Sequence, residues 1–368
     1  MEFRYLEEEC VEERKPIIGK RGKRIILLAV LVLLVVGVIK LTFMFGPQVV
    51  AASSVKTLEE DFYSMEYKGD YGFDEFLKRG GVKNDDELIA YIVERLYHNM
   101  YEVEVNGGRY GCSTLRATMS DGTVLFGRNF DYYSKKSMVV TTAPKNGYNS
   151  ISTCNLEFLG MRGDWEPDSF LNKMMAVATV YAPVDGMNEK GVCVAVLSVS
   201  DGTSTDQNTD KPDITTTSAV RLILDKAASV DEAIELLKQY DMHSSIGSQF
   251  KFAITDSTGK SVSVEYIKNV MNVVDVDACS NFYQTPGEHY GIGLDGPCPR
   301  YAKLIEGYEK FEGKMTEDEM MNTMASASQK YFYHNNTQWT AVFNTKELTA
   351  TYCYFEDFEE KYYFDLKD

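Results

Sequence analysis

The chain has 368 residues, of which 44% are hydrophobic and 25% charged. That is a globular balance, with length for one large or two ordinary domains plus an appendage. Lys and Arg total 38 against 55 Asp and Glu, a net charge of −17, and such a field repels polyanions and excludes nucleic acid as a partner. Seven cysteines are too few for a disulfide scaffold, and neither CxxC nor Cys/His zinc spacing occurs, so no metal and no cofactor is expected. His98, His243, His289 and His334 are scattered, which weakens a serine-protease reading.

In chain order, residues 1–24 mix acidic and basic patches and read as a short cytosolic tail. Residues 25–39 are apolar without a break apart from one glycine, and the run continues to Phe45 past Lys40 and Thr42. Residues 25–45 therefore reach the about 20 residues that span a bilayer. Arg14, Lys15, Lys20, Arg21, Lys23 and Arg24 crowd the N-terminal flank. The positive-inside rule then predicts a single-pass cell-membrane protein with a cytoplasmic N-terminus and an extracellular catalytic part. A core helix and a signal peptide cleaved after Val50-Ala51-Ala52 are the competing readings of the same run.

Residues 46–111 read as a helical pro-segment. Asn84 is a plausible N-cap, followed by Leu88, Ile89, Ile92, Val93, Leu96 and Tyr97 at helical spacing; Gly107 and Gly108 close the segment. From residue 112 the pattern turns to strands. Residues 114–119 and 123–129 flank Asp121-Gly122, a hairpin signal, and 192–199 is another strand. Residues 201–217 are polar and read as a long loop, a candidate lid. Helices over 218–228 and from the Ser229 capping box follow. A meander over 250–256, 261–267 and 271–276 comes next, then a capped helix at Thr316 and closing strands at 341–344 and 349–355. Strands, helices, then strands predict a layered α+β architecture.

Cys112 sits directly after a glycine, in Gly111-Cys112-Ser113-Thr114-Leu115-Arg116. Arg128-Asn129-Phe130-Asp131 ends the first hairpin. Asp185-Gly186-Met187-Asn188-Glu189-Lys190-Gly191, Ala278-Cys279-Ser280-Asn281 and Pro299-Arg300-Tyr301 follow in order. Together these resemble the choloylglycine hydrolase superfamily, N-terminal-nucleophile cysteine hydrolases of linear amides that include bile salt hydrolases, penicillin V acylases and the acid-ceramidase-like group. The resemblance runs along nearly all of 112–368 and implies a four-layer αββα sandwich. It implies catalytic roles for Cys112, Arg128, Asp131, Asn188, Asn281 and Arg300, with Cys112 becoming the mature N-terminus. The departure is upstream, since 111 residues precede the cysteine. That points to the relatives that cut themselves, here between Gly111 and Cys112.

The chemistry explains these residue types. A thiol of ordinary pKa, about 8.5, is mostly protonated at neutral pH and needs a base within reach. A freed Cys112 α-amine, with a reference pKa of about 7.7–8.0, is such a base, and no histidine is then required. Asp131 is expected to orient that amine, Arg128 to lower the thiol pKa, Asn188 and Asn281 to donate to the oxyanion, and Arg300 to hold Asp131 or the nucleophile loop. Gly111 is expected to allow a strained backbone for self-attack. The plainer alternatives are a surface ion pair for Arg128 and Asp131 and a turn role for Asn188. Tyr132, Tyr133, Phe158, Met161, Phe282 and Tyr283 are candidates to line an acyl pocket, or else core.

The resulting expectation is a membrane-anchored cysteine amidase acting on a bile-acid conjugate, an N-acyl amino acid or a fatty-acyl amide, with its pro-segment retained against the apolar surface. Acyl transfer on the same fold and a non-catalytic, membrane-anchored binding protein are the rival readings.

Overall fold

The computed structural model describes residues 19–101, 103–104, 107, 110–200, 203–293, 298–330 and 335–367. Most of the expected tail 1–24 lies outside these residues, as do 201–202 of the polar loop. The chain divides into two compact units, Met1–Gly46 and Pro47–Asp368.

Helix α1, Lys20–Ser54, carries the apolar run. Ile25, Leu27, Leu28, Leu33 and Leu34 are exposed on it, as expected of a run with no polar face. Among the described residues no helix is long and apolar enough to cross a membrane. The described apolar side chains, 25–37 and Ile39, fall short of the about 20 that a span needs, and the side chains of Val38 and 41–44 lie outside the description. In the second unit Ala51 and Ala52, the small residues of the competing signal-peptide reading, are fully buried in the last turns of α1.

The segment before Cys112 is not simply helical. It contributes strands β1, Lys56–Glu59, and β2, Phe62–Lys68, before helices α2, Phe73–Lys78, and α3, Asp85–Tyr97. Strand β2 is amphipathic: Tyr63, Met65 and Tyr67 are at most 1% exposed and alternate with half-buried Ser64 and exposed Glu66 and Lys68, a period of two that the helical reading of the segment passed over. Helix α3 follows its sequence signals. Asn84 accepts from the Glu87 amide at 2.9 Å, and Leu88, Tyr91, Ile92, Leu96 and Tyr97 form the buried face.

Strands β3, Gly111–Thr118, and β4, Val124–Tyr132, form the expected hairpin. Gly122 takes φ +87° in its turn, and Asp121 accepts from the Thr123 amide at 3.0 Å. Then follow β5, Ser137–Ala143, β6, Ser150–Asn155, α4, Phe170–Ala176, β7, Asp185–Asn188, and β8, Cys193–Val199. The polar stretch is not all loop, because β9, Asp213–Thr215, pairs in parallel with β10, Asp241–His243. Helices α5, Thr216–Lys226, and α6, Val230–Leu237, lie between them in sequence. The meander is β11, Gln249–Thr255, β12, Ser261–Ile267, and β13, Val270–Asp275. Strand β14, Ala278–Cys279, helices α7, Pro299–Lys310, and α8, Glu317–Ser326, and strands β15, Asn336–Asn344, β16, Thr349–Tyr354, and β17, Tyr362–Asp365, complete the chain.

Besides the small β9–β10 pair, the described strands form two large sheets, ordered β1-β2-β5-β6-β7-β8-β11-β12-β13 and β14-β3-β4-β15-β16-β17. They meet where β3 packs on β8. Helices α5 and α6 cover the outer face of the first sheet, and α7 and α8 cover the second. This is the expected αββα layering, with one addition: the pre-cysteine strands extend the first sheet through β2, which runs parallel to β5 from Phe62 to Lys68.

Candidate active site

The β3–β4 register decides which side chains meet. The Asp121-Gly122 turn pairs Thr118 with Val124, and from there Thr114 lies opposite Arg128, Cys112 opposite Phe130 and Gly111 opposite Asp131. Side chains alternate along a strand, and cross-strand partners share a face. Cys112 and Arg128 therefore point into the space between the sheets. Asp131, three residues on, points to the outer face, where its neighbour in parity Asn129 reaches α8 through the Met324 carbonyl at 2.8 Å.

Both charged residues are fully buried, so the surface-ion-pair reading does not hold. They are not paired with each other either. Arg128 Nε donates to Asp185 at 3.2 Å and Nη2 to the Val196 carbonyl at 3.0 Å. Its Nη1 has no hydrogen-bond partner among the described residues. The Cys112 thiol donates to that same Val196 carbonyl at 3.4 Å. Burial pushes the thiol pKa up to about 11; Arg128 pulls it down and Asp131 pushes it further up. The expected help from Arg128 is present but outweighed, because desolvating a thiolate costs more than one neighbouring cation returns. In the intact chain this sulfur is a protonated thiol at neutral pH.

The Cys112 nitrogen is held from the other side. Strand β14 pairs Cys279 with Thr114, which brings Asn281 level with Cys112. The Cys112 amide donates to Asn281 Oδ1 at 2.7 Å. Arg300 Nη2 donates to the same oxygen at 2.9 Å, while its Nη1 donates to Asp131 at 2.6 Å. Arg300 is placed by the start of α7, where Pro299 takes the first turn and Cys298 Sγ caps the Tyr301 amide at 3.3 Å. Asp131 is also fixed by Gln329 at 2.7 Å and Thr337 at 2.5 Å. Asp131, Arg300 and Asn281 thus form one hydrogen-bonded line ending on the Cys112 nitrogen, which Asp131 reaches through Arg300 and then Asn281.

Asn281 Nδ2 donates to the Ser198 carbonyl at 2.7 Å and more weakly to the Tyr110 carbonyl at 3.4 Å, so in the intact chain both its protons face main-chain oxygens. Asn188 is not brought to the thiol at all. It lies at the far end of β7 from Asp185, roughly 10 Å along the strand. Its Nδ2 donates to the Leu224 and Ala227 carbonyls at 3.1 and 2.7 Å, and its Oδ1 accepts from the Lys190 and Val192 amides. All its hydrogen-bonding groups are committed to a turn and a helix C-terminus, so the turn role is the one it plays. Gly111 likewise has a different reason from the expected one. Its φ is not positive, but a Cβ there would lie 2.7 Å from Asp131 Oδ2 and 2.6 Å from Gln329 Nε2.

Asp185 is the buried partner of Arg128 that the motif contained without singling it out. It is buried and accepts from Arg128 and from Trp339 Nε1 at 2.9 Å. Burial raises its pKa, against the pull of Arg128. A lone Asp in the apolar run 184–187 signals a buried partner, since an unpaired charge is not tolerated there. Ser198, Gln329 and Thr337 gave no signal in sequence, because each acts only through a distant strand.

Of the aromatic candidates, Phe158 lines an apolar cavity of about 50 Å³; Tyr110, Tyr181, Phe250 and Val196, the residue whose carbonyl accepts from the Cys112 thiol, line it too. Tyr132 is core behind Phe158, at 5.2 Å between ring centroids. Tyr133 is half-exposed and bonds Glu157 at 2.5 Å. Phe282 packs on Tyr301, and Tyr283 clusters with Val199 and Ile267. None of these four, nor Met161, lines the cavity. Among the described residues no cluster of His, Cys, Asp and Glu could hold a metal ion.

Residues 112–282 match the family of linear amide C–N hydrolases, choloylglycine hydrolase family. A bile salt hydrolase/transferase of Clostridium perfringens is 27% identical over 176 residues, 45% of this chain and 50% of that protein. The chain thus spans about half the length of that curated relative. Among solved structures, a conjugated bile acid hydrolase from Clostridium perfringens is similar with a TM-score of 0.52 at 18% identity, covering 70% of this chain and 92% of that one. Penicillin V acylase from Agrobacterium tumefaciens gives 0.50 at 14%, covering 70% and 87%. These likenesses concern the fold, which is that of the sandwich described above. Over residues 112–282, just under half of its length, the chain is similar to the choloylglycine hydrolase family.

Proposed function

We propose that this protein is a cysteine amidase that hydrolyses the linear amide C–N bond of an N-acyl substrate. The substrate is a bile-acid conjugate, an N-acyl amino acid or a fatty-acyl amide. The carrying observation is that both ends of one residue are prepared: the Cys112 nitrogen is held by Asn281, and its sulfur lies in the buried field of Arg128.

Cleavage between Gly111 and Cys112 is the activating step in this reading. Before it, the nitrogen is an amide and cannot accept a proton. After it, the α-amine takes the thiol proton and the thiolate attacks the substrate carbonyl. The α-ammonium then protonates the departing amine, leaving a thioester, which water hydrolyses with the amine again as base. Arg128 Nη1, a buried donor without a partner, suits the carbonyl oxygen better than Asn188 does. Pairing it would recover the about 1–3 kcal/mol that an unsatisfied buried donor costs.

The pre-cysteine segment stays bound after the cut in this proposal. Burying Phe62, Tyr63, Met65 and Tyr67 in β2 is worth about 1.5–3 kcal/mol per side chain, and cutting one peptide bond elsewhere removes none of it. If the two fragments separate on a native sizing column with activity intact, retention is wrong. The apolar exposed helix, with Arg21, Lys23 and Arg24 on one flank, supports anchoring of 25–45 in the cell membrane with the catalytic unit outside; protease accessibility of the 47–368 part on intact cells tests that.

The deciding experiment expresses the full chain with and without Cys112→Ala. Fragment masses are read, and the cut protein is incubated with bile-acid conjugates, N-acyl amino acids, fatty-acyl ethanolamides and penicillin V. The expected result is a cut before residue 112 and hydrolysis in the wild type alone. An intact wild type that behaves like Cys112→Ala in every assay would instead favour a non-catalytic binding protein. Acyl transfer is the second enzymatic reading, favoured by the transferase half of the relative's name; added glycine would then divert acyl groups from water.

A further inference from the structure

We propose that helix α3, from the segment before the cut, is the specificity wall of the acyl pocket and selects a thin, unbranched acyl chain. The inference rests on the amidase reading of Cys112. Cys112 does not itself line the apolar cavity, but its neighbours do: Val196, whose carbonyl accepts from the thiol, and Tyr110, two residues before it. Its other walls belong to rigid elements: Val196 and Phe250 on paired strands β8 and β11, and Tyr181 on the turn that follows α4. Thr216 and Thr217 of α5 line it as well, and Leu88, Ile89 and Ile92 of α3 close another side. These residues project at the i, i+1, i+4 spacing that puts them on one helix face.

The helix is latched over the cavity by a specific contact. The Asp85 carboxylate, at its first turn, accepts from the Ile246 amide at 2.6 Å. Ile246 also lines the cavity and sits at φ +50°, a left-handed conformation that β-branched residues rarely adopt. A backbone held there indicates that the surrounding structure determines the position of that loop against α3. A rigid fused-ring acyl group would have to displace α3 and break this latch. A flexible alkyl chain needs only to thread between α3 and the sheet.

Ile89 is the position for the test, because it lines the cavity while only half-buried, so size changes there spare the core. The full chain and its Ile89→Trp and Ile89→Ala variants are assayed on N-acylglycines of four to sixteen carbons. The readout is the ratio of kcat/KM on long to short chains. Ile89→Trp is expected to lower that ratio at least tenfold and Ile89→Ala to raise it severalfold, with a conjugated bile acid a poorer substrate than the best straight chain in the wild type. Length profiles that superimpose in all three proteins overturn the proposal. Decanoate binding to the same proteins, measured by calorimetry, separates the two readings. If nothing is hydrolysed but Ile89→Trp weakens decanoate tenfold, the amidase reading fails and the pocket assignment stands. If decanoate binds wild type and Ile89→Trp alike, or does not bind, the pocket assignment fails.

Discussion

The Cys112 main-chain nitrogen donates to Asn281 Oδ1 at 2.7 Å, so the atom that would become the catalytic base is held in place before any cut. Asn281 is in turn held by Arg300 and by the Ser198 carbonyl. These contacts favour a positioning role for Asn281 over an oxyanion role, and the two roles differ in size. Losing one ordinary hydrogen bond costs about 1 kcal/mol, or about fivefold; losing an oxyanion donor costs about 10²–10³ in kcat. Asn281→Ala is expected to lower kcat by about five- to tenfold and to displace the acid limb of the kcat/KM pH profile. A loss of a thousandfold with an unmoved pH profile would return Asn281 to the oxyanion.

Asn188→Ala is a test of the opposite kind. Its amide and carbonyl close a turn and cap α5. Removing them leaves buried main-chain groups unpaired, at about 1–3 kcal/mol. The expected outcome is a lower Tm with kcat/KM near wild type in the folded fraction, measured by calorimetry and initial rates. A catalytic collapse at unchanged Tm would show that it serves the reaction directly.

Gly111→Ala places a Cβ 2.7 Å from the Asp131 carboxylate, which Arg300, Gln329 and Thr337 hold in place. The carboxylate cannot yield without loosening Arg300 and, through it, Asn281. Cutting before Cys112 is expected to slow at least tenfold, with an overpacking cost of about 1–3 kcal/mol. A time course of fragment masses reads the rate, and cutting at the wild-type rate would exclude this line of contacts from a role in activation.

Glu265 gives a pH prediction. It is buried against Lys251, at 3.1 Å, and accepts from the Gln284 and Thr285 amides just beyond Asn281. Burial alone would raise its pKa, but Lys251 and these donors outweigh burial and hold it below the usual carboxylate value of 4.5. A carboxyl whose folded pKa is lower than its unfolded one contributes stability above the unfolded value and loses it as pH falls through the folded one. The Tm advantage of wild type over Glu265→Gln is therefore expected at pH 7 and should narrow steadily below about pH 4.5. An advantage independent of pH from 7 to 3 would show that the charge on Glu265 is not what holds the 281–285 loop.

The first hairpin and the capped helices could be read directly from the amino-acid order, because each depends on neighbours within a turn or a strand. Asp121-Gly122 sets a register, and that register alone puts Arg128 on the Cys112 face and Asp131 on the opposite one. What the order of residues could not decide is which distant group satisfies each buried polar side chain. Asp185 rather than Asp131 receives Arg128, Asn188 closes a turn, and Asn281 takes the nitrogen of Cys112, each because strands far apart in the chain lie side by side in the sheets. The same holds for β2 beside β5 and for α3 over the cavity. A buried hydrogen bond has to be made by whatever the packing of the two sheets brings within 3 Å or so, and that is settled only when they close on each other.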